Sequence, residues 1–158
     1  MRLLNLSLLV LIVISGTLTC SCAPDPLVQT QEIIEQEPAN PQKQAMTIRI
    51  TVGGKVFKAD IEDSETGKAF IGKLPLTLDM SELNGNEKYC YGVSLPRDDK
   101  YFATLAAGDL MLYSGNCIVL FYGPAGGYNY TRLGRLTGTQ GLKEALGTGS
   151  VKVTFAKE

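Results

Sequence analysis

The sequence predicts a mainly β domain over residues 46–158, a closed β-barrel of about eight strands with two short helices capping its ends. Three observations carry this prediction. Short apolar runs with a period of two recur between Gly, Asn and Asp clusters, the pattern of strands joined by tight turns. The run Cys117–Tyr122 is wholly apolar, so both of its faces need cover, as a strand in a barrel wall provides. The 17 Gly, seven Tyr and five Phe supply turn formers and β formers together.

Two segments precede that domain. Met1-Arg2 is a short basic stretch, Leu3–Ile14 is apolar apart from Asn5 and Ser7, and Ser15–Cys22 is small and polar. That order is a secretory signal. It resembles a bacterial lipoprotein signal, in which a small residue precedes a Cys that becomes lipidated and N-terminal. Ser21 before Cys22 fits that requirement better than Thr19 before Cys20. Residues 1–22 are therefore expected to be a lipoprotein-type signal with lipidation at Cys22. The partner this implies is a membrane, reached through a lipid anchor, in the bacterial cell envelope facing the periplasm or the cell surface. Residues 23–45 hold four Pro, five Gln and four acids against Lys43. Such a stretch buries too little apolar area to offset its ordering entropy, so it reads as a disordered linker.

The domain elements follow in order. Ile48, Ile50 and Val52 alternate with polar residues, Gly53-Gly54 is a hairpin turn, and Phe57, Ala59 and Ile61 alternate in the return strand. Asp63-Ser64-Glu65-Thr66 starts a helix with Ala69, Phe70 and Leu74 at helical spacing, ended by Pro75. Leu76 and Leu78 alternate in a strand, Asn84–Asn86 is a turn, Lys88–Val93 is a strand, and Ser94–Lys100 a polar loop. Tyr101–Ala107 fits neither period. Leu110–Tyr113 and Cys117–Tyr122 form the central hairpin across Ser114-Gly115-Asn116, and Tyr128–Leu136 is a third, more polar run. Thr139 is expected to cap a short helix carrying Leu142, Ala145 and Leu146, with Gly147 as its stop. Val151, Val153 and Phe155 alternate in the last strand. Barrel closure would remove exposed strand edges.

Composition also excludes functions. The net charge of −1 gives no basic footprint for nucleic acid. The absence of His rules out a Ser-His-Asp or Cys-His nucleophile and any His-ligated metal. No cofactor or metal is implied.

Several stretches carry a resemblance. They are Ile48–Gly54, Leu74–Met80, Asn84–Tyr89, Gly108–Tyr113, Leu120–Tyr122 and Tyr130–Gly134. Together they resemble the bacterial cyclophilin-like domain family, small closed β-barrels related in fold to cyclophilins. The resemblance implies a cyclophilin-like barrel and transfers no reaction. True cyclophilins are prolyl isomerases with a Phe-His-Arg catalytic strand and a Trp or His in the pocket. This chain has neither His nor Trp, and the corresponding strand around Leu76–Met80 offers Asp79 and no Arg.

The candidate ligand-binding residues are Arg132, Tyr130, Tyr113, Phe121 and Tyr122. Arg132 shares strand parity with Tyr128 and Tyr130, and an Arg among aromatic rings can bond a carbonyl or stack. Arg135 falls on the opposite face by the same parity. Glu87 and Asp109 read as solvated turn or strand-end acids that nothing brings together. Gly123–Gly127 lacks the ending of a phosphate loop and reads as a mobile β-loop. Cys90 and Cys117 are expected to be reduced and at least partly buried. The function expected is that of a lipid-anchored envelope protein whose barrel binds a small molecule or an extended peptide without catalysis. The alternatives are a divergent prolyl isomerase using Arg132, or a structural or partner-binding module of an envelope assembly.

Overall fold

The computed structural model of the protein describes residues 46–158. The signal, Cys22 and the linker lie outside the described residues. The elements run β1 (Met46–Val52), β2 (Lys55–Ile61), α1 (Glu65–Gly72), β3 (Leu76–Leu83), β4 (Glu87–Tyr91) and β5 (Lys100–Phe102). They continue with β6 (Asp109–Tyr113), β7 (Cys117–Phe121), β8 (Tyr128–Leu136), α2 (Leu142–Leu146) and β9 (Val151–Lys157). Strand order is β2-β1-β9-β3-β4-β7-β6-β8, and β8 pairs back onto β2 through Ala59↔Leu136 and Ile61↔Gly134. Eight antiparallel strands therefore close a barrel. β5 is a ninth strand, laid antiparallel on the first half of β8.

Local chemistry sets these elements. The β1–β2 turn puts Gly53 and Gly54 at φ +56° and +76°, the left-handed pair that a two-residue hairpin demands. Ser64 caps α1, its Oγ accepting the Gly67 N–H at 3.0 Å, with Glu65 in the first turn beside the helix dipole. Phe70 from α1 meets Phe155 edge-on at 5.6 Å. The other helix brings Leu142 and Leu146 into the same interior cluster at the opposite end, where Ala145 abuts Gly53. The interior is thus filled by alternate residues of the barrel strands and plugged at both ends.

A second apolar cluster lies on the outer face of the wall. It comprises Leu105, Met111, Cys117, Val119, Phe121 and Tyr130, whereas Leu110, Leu112, Ile118 and Leu120 face the interior. The wholly apolar run of β7 is explained by this double cover: one face packs inside the barrel, the other under an outer layer.

Details differ from the sequence expectation. Gly141, not Thr139, caps α2, with φ +74°; Thr139 instead offers its carbonyl to the Leu142 N–H at 3.0 Å. A left-handed residue reverses the chain just before this five-residue helix, a backbone demand that a capping side chain does not meet. β4 stops at Tyr91, because Gly92 adopts φ +101° and the Gly92 and Val93 N–H groups both turn to the Asn116 carbonyl. Within Tyr101–Ala107 the chain finishes β5 and then makes the isolated Leu105↔Ala125 bridge. Cys90 and Cys117 are both free, half-buried and buried respectively. Cys90 packs against the interior and Cys117 belongs to the outer cluster.

Candidate functional site

The site grows from strand alternation on the outer face. β4 sends Glu87, Tyr89 and Tyr91 outward, and their β7 partners on that face are Phe121, Val119 and Cys117. β6 adds Tyr113, paired with Cys117, and β8 adds Tyr128 and Tyr130. The rings touch in sequence. Tyr130 lies edge-on to Phe121 at 5.7 Å and tilted against Tyr113 at 5.6 Å, and Tyr89 lies edge-on to Tyr91 at 5.9 Å. They enclose a groove of about 410 Å³ with Cys117 and Val119 at its base and Asn86, Ala125 and Gly126 at its edge. Tyr91 and Tyr128 keep more than half of their surface exposed at its mouth.

The edge of the groove is tied down. Leu105 and Ala125 exchange both backbone hydrogen bonds (2.7 and 3.1 Å), and Asn86 Nδ2 donates to the Pro124 carbonyl at 2.8 Å. At Gly126, φ is +153° and a Cβ would sit 2.1 Å from the Ala103 carbonyl oxygen, so only glycine allows this approach. Gly123–Gly127, expected to be a mobile loop, is instead pinned by backbone pairing that its composition does not reveal.

The charge of the groove is one-sided. Among the described residues no Lys or Arg lines it, and Glu87 is its one carboxylic acid. Glu87 is only 7 % exposed, and among the described residues its carboxyl group has no hydrogen-bonding or ion-paired partner. Burial, and then the nearby Glu82 charge, push it above the ordinary carboxylate value. Asn86 Oδ1, beside it, is buried with no donor among the described residues. Burial also raises Cys117 to about 11, and burial followed by the Glu87 charge raises Tyr130 to about 12. Both stay neutral at physiological pH, and a thiol so placed is not a ready nucleophile.

The sequence pattern of the Cyclophilin-like family matches residues 50–156. This chain belongs to the cyclophilin-like family. The fold is similar to the solution structure of a hypothetical protein from Archaeoglobus fulgidus, with a TM-score of 0.58 and 18 % identity over 75 % of this chain and 98 % of that one. No curated protein matches the chain.

The cyclophilin-like barrel separates the five candidate ligand residues. Tyr113 and Tyr130 line the groove. Phe121 is fully buried beneath Tyr130. Tyr122 turns to the interior, where its hydroxyl donates to Glu82 Oε1 at 2.7 Å and the Lys88 ammonium lies 5.7 Å from its ring. Arg132 lies outside the groove, in a separate depression with Glu62, Ser64, Asp98, Lys100, Phe102 and Thr131. Its Nη1 donates to Asp109 Oδ1 at 2.9 Å, and its guanidinium stacks 5.0 Å over Phe102.

Two expectations are corrected here. Glu87 and Asp109 are not solvated acids: both are buried, Asp109 under Arg132 and the Ala106 N–H, Glu87 in the groove. Arg135 is not turned away from Arg132. The β6–β8 register slips between Leu110 and Met111, leaving Leu133 as an extra residue, and Arg135 Nη1 also reaches Asp109 Oδ1 at 3.3 Å. A β-bulge resets strand parity, so counting by twos across it fails. Glu87 itself was detectable, because Glu87-Lys88-Tyr89-Cys90-Tyr91 places an acid and two Tyr rings on one face.

Proposed function

We propose that this cyclophilin-like domain is a non-catalytic binding module whose outer groove takes a small molecule or an extended peptide segment. The observation that carries this reading is the groove itself: about 410 Å³, built from five tyrosines around one unpaired acid. Concave, mostly aromatic sites with a few convergent polar groups are where small ligands and peptide side chains bind. Isomerase catalysis asks for a preorganised donor poised over a prolyl nitrogen. Arg132 is engaged by Asp109 and Phe102 outside the groove, and neither His nor Trp occurs in the chain. A protease-coupled proline isomerisation assay at micromolar protein is expected to give only the background rate. A faster rate that disappears in Arg132→Ala would overturn the reading in favour of an isomerase.

The same proposal places the domain on the cell envelope, tethered through lipid on Cys22 by way of the 23–45 linker. The apolar run and Ser21-Cys22 support it, and two or three acyl chains anchor a protein stably where one does not. Cys22→Ala is expected to release the protein into the soluble fraction and block processing. Unchanged membrane retention and processing would overturn the anchor at Cys22.

A further inference from the structure

We infer that the outer groove recognises a primary alkylammonium group, either of a small amine or at the tip of a lysine side chain, with its nitrogen at the Glu87 carboxylate and its carbon chain against the tyrosine rings. The inference rests on the reading of the groove as a ligand site and names the chemical class of that ligand.

A carboxyl group on a residue as buried as Glu87, which is 7 % exposed, normally has a cation or several N–H donors, because an uncompensated buried charge is strongly unfavourable. Glu82, five residues earlier, is satisfied by Lys88, the Tyr122 hydroxyl and the Gly85 N–H. Asp109 is satisfied by Arg132, Arg135 and the Ala106 N–H. Glu87 has none of these, yet it opens onto the groove. The missing partner is a donor, and among the described residues the groove lining holds no cation.

The walls select its form. Tyrosine faces attract ammonium groups within about 6 Å of the ring centroid, and Tyr89, Tyr91, Tyr113, Tyr128 and Tyr130 line this groove. The apolar base at Val119 and Cys117 suits a methylene chain. Anions are disfavoured, since Glu82 already adds negative charge beside Glu87.

The test uses the full chain in detergent, with n-butylammonium and an acetylated, amidated Gly-Lys-Gly peptide as probes, and n-butanol and butyrate as controls. Backbone amide shifts of residues 87–91 report occupancy. Both ammonium probes are expected to bind in the millimolar range or tighter and to shift those amides, with butyrate silent. Tighter binding of the peptide identifies a lysine ligand, and tighter binding of the free amine a small-molecule one. Glu87→Gln is expected to weaken ammonium binding about 10- to 100-fold, the range for losing a charged hydrogen-bond partner.

Acidification is expected to weaken binding in the same sense in the wild type and not in Glu87→Gln. The ionisable groups facing Glu87 are Glu82, Cys117, Tyr130 and the neighbouring Tyr89 and Tyr91. Glu82 is held below the ordinary carboxylate range, Tyr91 is raised, and Cys117 and Tyr130, pushed up to about 11 and about 12, stay neutral. Ammonium binding that survives Glu87→Gln unchanged, or butanol binding as well as butylammonium, overturns the inference while leaving the groove a ligand site. Silence of all four compounds at the groove amides overturns the inference and counts against the groove reading as well.

Discussion

Glu87 is a residue whose burial opposes its own ionisation, and the consequence for stability has a definite sign. Its folded-state value lies above the ordinary 4.5, so its contribution is present at low pH and is lost as pH rises through the folded value. As pH rises past the ordinary carboxylate value, burial opposing ionisation makes Glu87 a net destabilising group. Glu87→Gln is therefore expected to raise the melting temperature at neutral pH, and the gain should shrink toward zero below pH 4.5; a scan of melting temperature against pH for both proteins checks it. Stability given up at a site that faces a groove is what a ligand-binding residue shows. Lys88, the next residue, is the opposite case. It is fully buried inside the barrel, where it donates to Glu82 and to the Gly149 carbonyl at 2.6 Å. Glu82→Gln would take the counter-charge from the Lys88 ammonium, leaving it the Gly149 carbonyl, and is expected to cost about 2 kcal/mol, within the range for charged hydrogen bonds. Lys88→Met keeps the volume and leaves Glu82, which is partly exposed, with Tyr122 and Gly85, so it should cost less. Urea unfolding of the two variants gives the order directly, and the reverse order would refute the assignment.

At the scale of the element, β8 does three jobs along nine residues. Its first half carries the groove tyrosines and pairs with β5, its middle bulges, and its end closes the barrel on β2. The bulge delivers Arg132 and Arg135 to one buried carboxylate on β6. Asp109→Asn removes the charge that both guanidiniums share and is expected to destabilise the domain by about 2 kcal/mol, within the range for charged hydrogen bonds. Because Asp109 lies outside the groove, the amide shifts of residues 87–91 on adding butylammonium should be unchanged in this variant. Loss of both stability and groove binding would mean that the two halves of β8 are coupled. Gly134 serves the third job, since a Cβ there would lie 2.2 Å from the Asp60 carbonyl oxygen across the closing β2–β8 seam.

At the scale of the molecule, closure makes the domain one cooperative object. Each strand of the eight-stranded barrel has two neighbours, and both helices pack into the one interior cluster. Residues 46–158 alone are expected to unfold in a single transition, with calorimetric and van't Hoff enthalpies in agreement. Two transitions, or failure to fold without residues 1–45, would contradict this.

The sequence by itself determined most of the strands and the barrel. Period-two alternation in Ile48–Val52, Phe57–Ile61 and Val151–Phe155 states which side chains go inward, and Gly53-Gly54 and Ser64 punctuate the chain by local backbone chemistry alone. Tyr128 and Tyr130 are legible as neighbours on one face because local alternation sets it, and both line the groove. The tertiary structure alone decided what those faces meet. Tyr122 was read as groove and lies inside, because one apolar run serves two clusters and composition cannot say which side is the barrel interior. Arg135 was read as turned away and shares Asp109, because a bulge is set by pairing with another strand and leaves no local mark. Glu87 reads as solvated in the sequence and is buried, with no partner for its carboxyl group among the described residues. Burial is a property of everything packed around a residue, and Glu87 pairs with Phe121 of β7 beside a groove whose other walls come from β6 and β8.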